Sequence, residues 1–122
     1  MFKMHFQVIK DYFYNQIYEE VHKSFPSFFS VFDKEDGAYP LLGELGCFIL
    51  KHSDKKDIRE QTIDFINKAL QKGEYETEDA IIIEMFSKLY EDSILADNIE
   101  RGLYGKALIL FRKYRKESYE DH

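Results

Sequence analysis

The stretch from Ala80 to Tyr90, AIIIEMFSKLY, constrains the fold more than any other part of the chain. Its polar residues Glu84, Ser87 and Lys88, continued by Glu91, recur at three- and four-residue steps, and nearly everything else there is apolar. A short β-branched run such as Ile81, Ile82, Ile83 also suits a buried strand, and periodicity alone does not separate the two. The repeat of the polar stripe, with Thr77 as N-cap and Glu78 and Asp79 in the first turn, predicts a helix. A helix with so narrow a polar stripe is wrapped by neighbours on most sides. The same region is the most acidic. From Glu74 to Glu100 nine acids stand against one base, Lys88, a local −8 compared with −6 for the whole chain.

The flanking sequence reads as further helices. Over residues 4–23, Phe6, Ile9, Phe13, Ile17 and Val21 fall on one helical face. Pro26 ends that helix. Phe25, Phe28, Phe29 and Phe32 repeat the spacing and predict a brief helix that plugs aromatic rings into the core, closed by the acidic DKEDG. Pro40 opens the next helix, PLLGELGCFILKH, with Leu41, Leu42, Leu45, Phe48 and Ile49 on one side. Gly43, Gly46 and Cys47 form a small-residue side, and the helical cost of glycine is offset if another helix approaches closely there. Asp54 is the expected N-cap of a helix carrying Ile58, Thr62, Phe65, Ile66, Ala69 and Leu70, with Asp64 and Lys68 as an ion pair and Gly73 as the stop. Asp97 and Glu100 have capping-box spacing before a last helix that runs to about Lys116, after which the chain should fray. The expected fold is all-α. It is one domain over 1–122, an antiparallel helical bundle of five main helices plus one short helix, with HEAT-like stacking of hairpins.

Only two prolines and six glycines in 122 residues argue against a turn-rich β-sandwich. No apolar run approaches the ~20 residues of a membrane span. The opening MFKMHFQVIKDYF lacks a continuous signal-peptide core. A single cysteine, Cys47, fits a reducing, cytoplasmic setting and reads as a buried, inert thiol. Arg101, Lys106, Arg112, Lys113, Arg115 and Lys116 form a basic run whose last four members favour a helix C-terminus, and the acidic net charge opposes direct nucleic-acid binding. Glu19 and His22 have the spacing of one carboxylate–histidine motif of di-metal bundles, but no second such motif exists, so no metal or cofactor is expected. No glycine-rich phosphate loop, nucleophile motif or zinc spacing is present.

The acidic region therefore has two readings: a solvated face, or a surface complementary to a basic protein. On the second, Glu74, Glu76, Asp79, Glu91, Asp92 and Asp97 supply the field, with Tyr75 and Tyr90 as anchors. Three stretches, SFPSFF, DGAYPLLGELGCFIL and FINKAL…GEYETEDAIIIEMFSKLYED, resemble a group of small all-helical bacterial proteins of polymorphic-toxin loci, over roughly residues 20–95. The resemblance implies a non-enzymatic immunity protein that neutralises a cognate toxin. The acidic surface suits a basic, nuclease-type toxin. The alternatives are a regulatory or adaptor module offering a helical groove, and a metal-dependent helical enzyme.

Overall fold

A computed structural model describes residues 10–120. In chain order they form α1 (Tyr12–Asn15), α2 (Ile17–Ser24), a 3-10 turn (Lys34–Asp36), α3 (Ala38–Lys51), α4 (Lys56–Lys72), α5 (Tyr75–Ala80), a π-helix (Ile81–Phe86), α6 (Ser87–Leu89), α7 (Ser93–Gly102) and α8 (Gly105–Glu120). Among the described residues there is no strand, so AIIIEMF is helical. Helical backbone angles at Ala80, Ile81, Phe86 and Ser87 join α5, the π-helix and α6 into one central rod. β-branched side chains crowd an α-helical turn, and the wider turn spreads them: Ile81 is buried, Ile82 half-buried and Ile83 exposed. The Ser87 hydroxyl donates to the Ile83 carbonyl at 2.6 Å, satisfying an acceptor of the irregular segment.

The rod packs against α3 on one side and α8 on another. Ile81, Met85, Phe86 and Leu89 are buried in one continuous apolar core with Leu41, Leu42, Leu45 and Ile49 of α3. Phe111 of α8 meets Phe86 edge-on at 5.0 Å. Phe65 of α4 takes Phe25 edge-on at 5.6 Å. Each fully buried ring of this kind contributes about 1.5–3 kcal/mol.

Two of the three residues on the small-residue side of α3, Gly43 and Gly46, meet the rod as expected, whereas Cys47 does not take part in the contact. A Cβ on Gly46 would sit 2.8 Å from Cγ and 2.9 Å from Cβ of Lys88, whereas one on Gly43 would meet the end of the Glu84 side chain at 2.9 Å. The Lys88 Cβ cannot move without the rod, but the Glu84 carboxylate can rotate away. Gly46→Ala should therefore destabilise by about 1–3 kcal/mol. Gly43→Ala should be neutral or stabilise by up to about 1 kcal/mol through helix propensity. Chemical denaturation of the two variants checks this, and equal effects would refute the packing argument.

Several boundaries differ from those read in the sequence. The first helix begins at Tyr12 because the Asp11 side chain caps it, and it breaks at Gln16; Phe6 and Ile9 lie outside the described residues. The aromatic segment after Pro26 is a turn followed by an irregular loop, not a helix: Phe25 and Phe28 are buried and Phe29 is exposed. Asp54 does not cap α4, whose N-cap is Lys55, and Lys68 pairs with Glu20 at 2.7 Å instead of with Asp64. Cys47 is exposed, not buried.

The expected last helix is two helices. Asp92, not Asp97, caps the first of them, its Oδ1 accepting from the Ile94 and Leu95 amides. The break before Gly105, which has φ +58°, is held by buried Asn67. Its Nδ2 donates to the Gly102 carbonyl and its Oδ1 accepts from the Tyr104 amide, satisfying the two groups that the break frees. α8 continues to Glu120, past the expected fraying point.

Candidate partner-binding surface

The start of the central rod is organised by a residue 63 positions away in sequence. Asp11 is 3% exposed, and its carboxylate accepts four hydrogen bonds. Oδ1 takes the Tyr14 amide at 2.9 Å and the Thr77 hydroxyl at 2.8 Å. Oδ2 takes the amides of Glu74 at 2.9 Å and Thr77 at 2.8 Å. One carboxylate thus caps α1 and α5 together, and Thr77 is a donor inside the first turn, not the cap itself. Burial alone raises the pKa of this carboxyl, but the hydrogen bonds from Tyr14, Thr77 and Glu74 outweigh it and hold it below its ordinary value.

This clamp positions an acidic face bearing tyrosines. Glu74, Tyr75 and Glu76 are exposed at the end of the rod, with Tyr75 at 77%. Together with Asp11 they line a depression of about 240 Å³. One turn on, Asp79 accepts a 2.5 Å hydrogen bond from the Tyr39 hydroxyl at the start of α3. That bond, with burial, raises the Tyr39 pKa, and the fields of Asp79, Tyr14 and Tyr75 act in the same direction. Tyr14 is raised by burial and by the charges of Glu76, Asp11 and Asp79. Asp79 thus acts on both Tyr14 and Tyr39, and Tyr75 lines the depression with Glu74 and Glu76. Among the described residues no lysine or arginine pairs with Glu74, Glu76 or Asp79.

The other half of the expected set lies elsewhere. The rod separates Glu91 and Asp92 from Glu76 by roughly 20 Å. Asp92 is committed to capping α7. Glu91 faces Lys88 at 3.9 Å. Asp97 is bound by Arg115 at 2.7 Å, and Glu100 by Arg112 and Arg115 at 3.3 and 3.2 Å. Burial opposes the charged form of Arg115, but its bonds to Tyr119, Asp97 and Glu100 outweigh that and raise its pKa. Acids of α7 and bases of α8 therefore neutralise one another, and the acidic region is not one patch. Glu78 is likewise paired, with Lys106 at 2.6 Å.

Tyr90 is corrected from anchor to core. It is 7% exposed, stacks edge-on against Phe111 at 5.1 Å, and donates its hydroxyl to the Phe111 carbonyl at 2.8 Å. Burial raises its pKa. Tyr90→Phe should cost about 1 kcal/mol of stability through that lost bond, measured by thermal or urea denaturation. An unchanged midpoint would mean that the hydroxyl is not held in the core.

Sequence reasoning missed Asp11, Tyr14 and Tyr39. The spacing of Asp11 and Tyr14 carries a local N-cap signal. Nothing local links Asp11 to Thr77, or Tyr39 to Asp79. Among the described residues no cluster of three or more histidines, cysteines or acids is placed to hold a metal ion, and no helix is long and apolar enough to cross a membrane. His22, of the carboxylate–histidine pair, contacts the Tyr18 carbonyl through Nδ1 at 2.8 Å and stacks between Tyr18 and Phe28. Compared with family models, with curated proteins and with solved structures, the chain matches none.

Proposed function

We propose that the chain is an immunity-type protein of the cytoplasm, which neutralises a basic toxin domain by stoichiometric binding, without catalysis. The observation that carries the reading is the acidic, tyrosine-bearing face at the start of the rod. There Glu74, Glu76 and Asp79 have no basic partner among the described residues, Tyr75 lines the depression with Glu74 and Glu76, and Tyr39 donates its hydroxyl to Asp79. Uncompensated like charge costs stability through self-repulsion, a cost offset when a cationic surface covers it. Tyrosines supply large contact area at low entropic cost and are enriched among interface hot spots. The contact set is narrowed to Glu74, Tyr75, Glu76 and Asp79, extended by Tyr14 and Tyr39. On this reading the hairpins of α3, α4 and the rod stack in a HEAT-like manner and act as a rigid support. A nuclease is the favoured toxin because a surface that binds nucleic acid is cationic.

The test is growth rescue. The reading requires a large secreted protein encoded directly upstream of this gene, and the C-terminal domain of that protein is expressed from an inducible promoter, with and without this chain. Restored growth and a one-to-one complex are expected. Toxicity that persists at equal expression refutes the proposal.

A further inference from the structure

We infer that the loop between α2 and α3 is a second contact element, packing Phe29 and Val31 against an apolar helix face flanked by lysine or arginine on the partner. The inference rests on the reading of the chain as a stoichiometric binder of a cationic protein. Phe25 and Phe28 face inward, at 0% and 3% exposure, and Phe28 packs edge-on against Phe48 at 5.2 Å. Between these anchors and the 3-10 turn, Phe29 and Val31 stand 85% and 83% exposed. Isolated apolar side chains on a surface need no explanation. These two differ because the backbone of Val31 and the residues flanking it are clamped, as is Phe28 just before Phe29. The Glu44 carboxylate accepts from the Val31 amide at 3.1 and 3.3 Å and from the Ser30 hydroxyl at 2.5 Å. The Ser30 oxygen in turn accepts from the Phe32 amide at 2.9 Å. A loop free to move would fold its apolar side chains back onto the protein. This one is held with them outward, so docking them demands little further ordering.

The surroundings specify the occupant. Asp33, Glu35 and Asp36 follow directly and are all exposed. Lys34, the one base between Phe29 and Tyr39, is neutralised by Glu19 at 2.7 Å. An apolar pair rising from an acidic rim is complementary to an apolar helix face with basic flanks. The loop ends at Gly37, the N-cap of α3, two residues before Tyr39. A depression of about 210 Å³ is lined in part by Lys34 and Gly37 of this segment and by Tyr14 and Tyr18.

The probe is a fluorescein-labelled amphipathic helical peptide with leucine on one face and lysine on both flanks, titrated with the full chain by fluorescence anisotropy. Phe29→Ser/Val31→Ser should weaken binding at least tenfold with an unchanged melting temperature, since both side chains are exposed. Peptides with the leucines changed to serine, or the lysines to glutamate, should bind at least tenfold more weakly. A wild-type chain that ignores the leucine–lysine peptide, or a double variant that binds it as wild type does, overturns the inference. So does sedimentation equilibrium showing a wild-type dimer that the double variant abolishes, because the occupant is then a second copy. Glu74→Lys/Glu76→Lys is measured in parallel. If it abolishes binding and the loop variant does not, the inference falls and the acidic-face reading stands. The reverse result keeps the loop as the anchor and removes the acidic face.

Discussion

Asp11→Ala is expected to destabilise the protein by about 3 kcal/mol or more, because it strands four donors in a site that has lost its acceptor. That is a large fraction of the about 5–15 kcal/mol available to a domain of this size. Asp11→Asn restores the shape but offers an amide group to a site composed of donors, so it should recover only part of the loss. The pH dependence separates charge from shape. The folded-state pKa of Asp11 lies below its unfolded value. Its contribution is therefore complete above the ordinary aspartate pKa of about 3.9, and it is lost as pH falls through the lower folded value. The stability gap between wild type and Asp11→Asn, from urea denaturation, should be widest near neutral pH and shrink in acid. A gap constant with pH would show that the carboxylate's charge contributes nothing. Thr77→Val removes the hydroxyl donor and should cost about 1 kcal/mol. It should cost almost nothing when Asp11 is already alanine, as expected of residues that share a network.

Glu74→Lys/Glu76→Lys should slow association with the cationic partner about ten- to a hundredfold at low salt and flatten the salt dependence of the rate. Glu74 and Glu76 stand at the N-terminus of α5, where acids favour the helix, so the reversal should cost about 1 kcal/mol of stability and leave the fold intact. Glu91→Lys/Asp92→Lys is the informative contrast. Asp92 caps α7 through two amides, and its loss should cost about 1 kcal/mol of stability, yet the association rate should hold, because this pair sits at the far end of the rod. Stopped-flow measurements across a salt series check both. Equal slowing by the two pairs would mean that steering comes from net charge and not from the face beside Tyr75.

How far the sequence carried these conclusions depends on the range of the interaction. The inner faces of α3 and α4 were legible because Leu41, Leu45, Ile49, Ile58, Phe65 and Ile66 repeat with the helical period, and all are buried. The glycine contact was legible because small residues in an apolar helix require a reason. Helix ends were not, because the decisive caps came from a distance. Asp11 supersedes Thr77 across 66 residues, and Asn67 of α4 supports the α7–α8 break from 35 residues away. The acidic region misled for a related reason. Charge summed along the chain ignores bases supplied by another helix, and Arg112 and Arg115 consume Asp97 and Glu100. Tyr90 falls where the rod's polar stripe ends, and composition cannot say that a tyrosine there turns inward to Phe111.

The π-helix at Ile81–Phe86 gives the rod an unusual tolerance. Deleting one residue from an α-helix turns everything beyond it by about 100° and misaligns its buried face. A segment whose amides reach back five residues already carries one residue more than an α-helical register needs. Shortening IIIEMF by a single isoleucine has a repair open to it, relaxation of the wide turn into ordinary helix, with Phe86 and Leu89 keeping their places. The same excision from α3 or α4 has no such slack to absorb it. Insertions and deletions should therefore sort by position, with the centre of the molecule more forgiving than the helices around it.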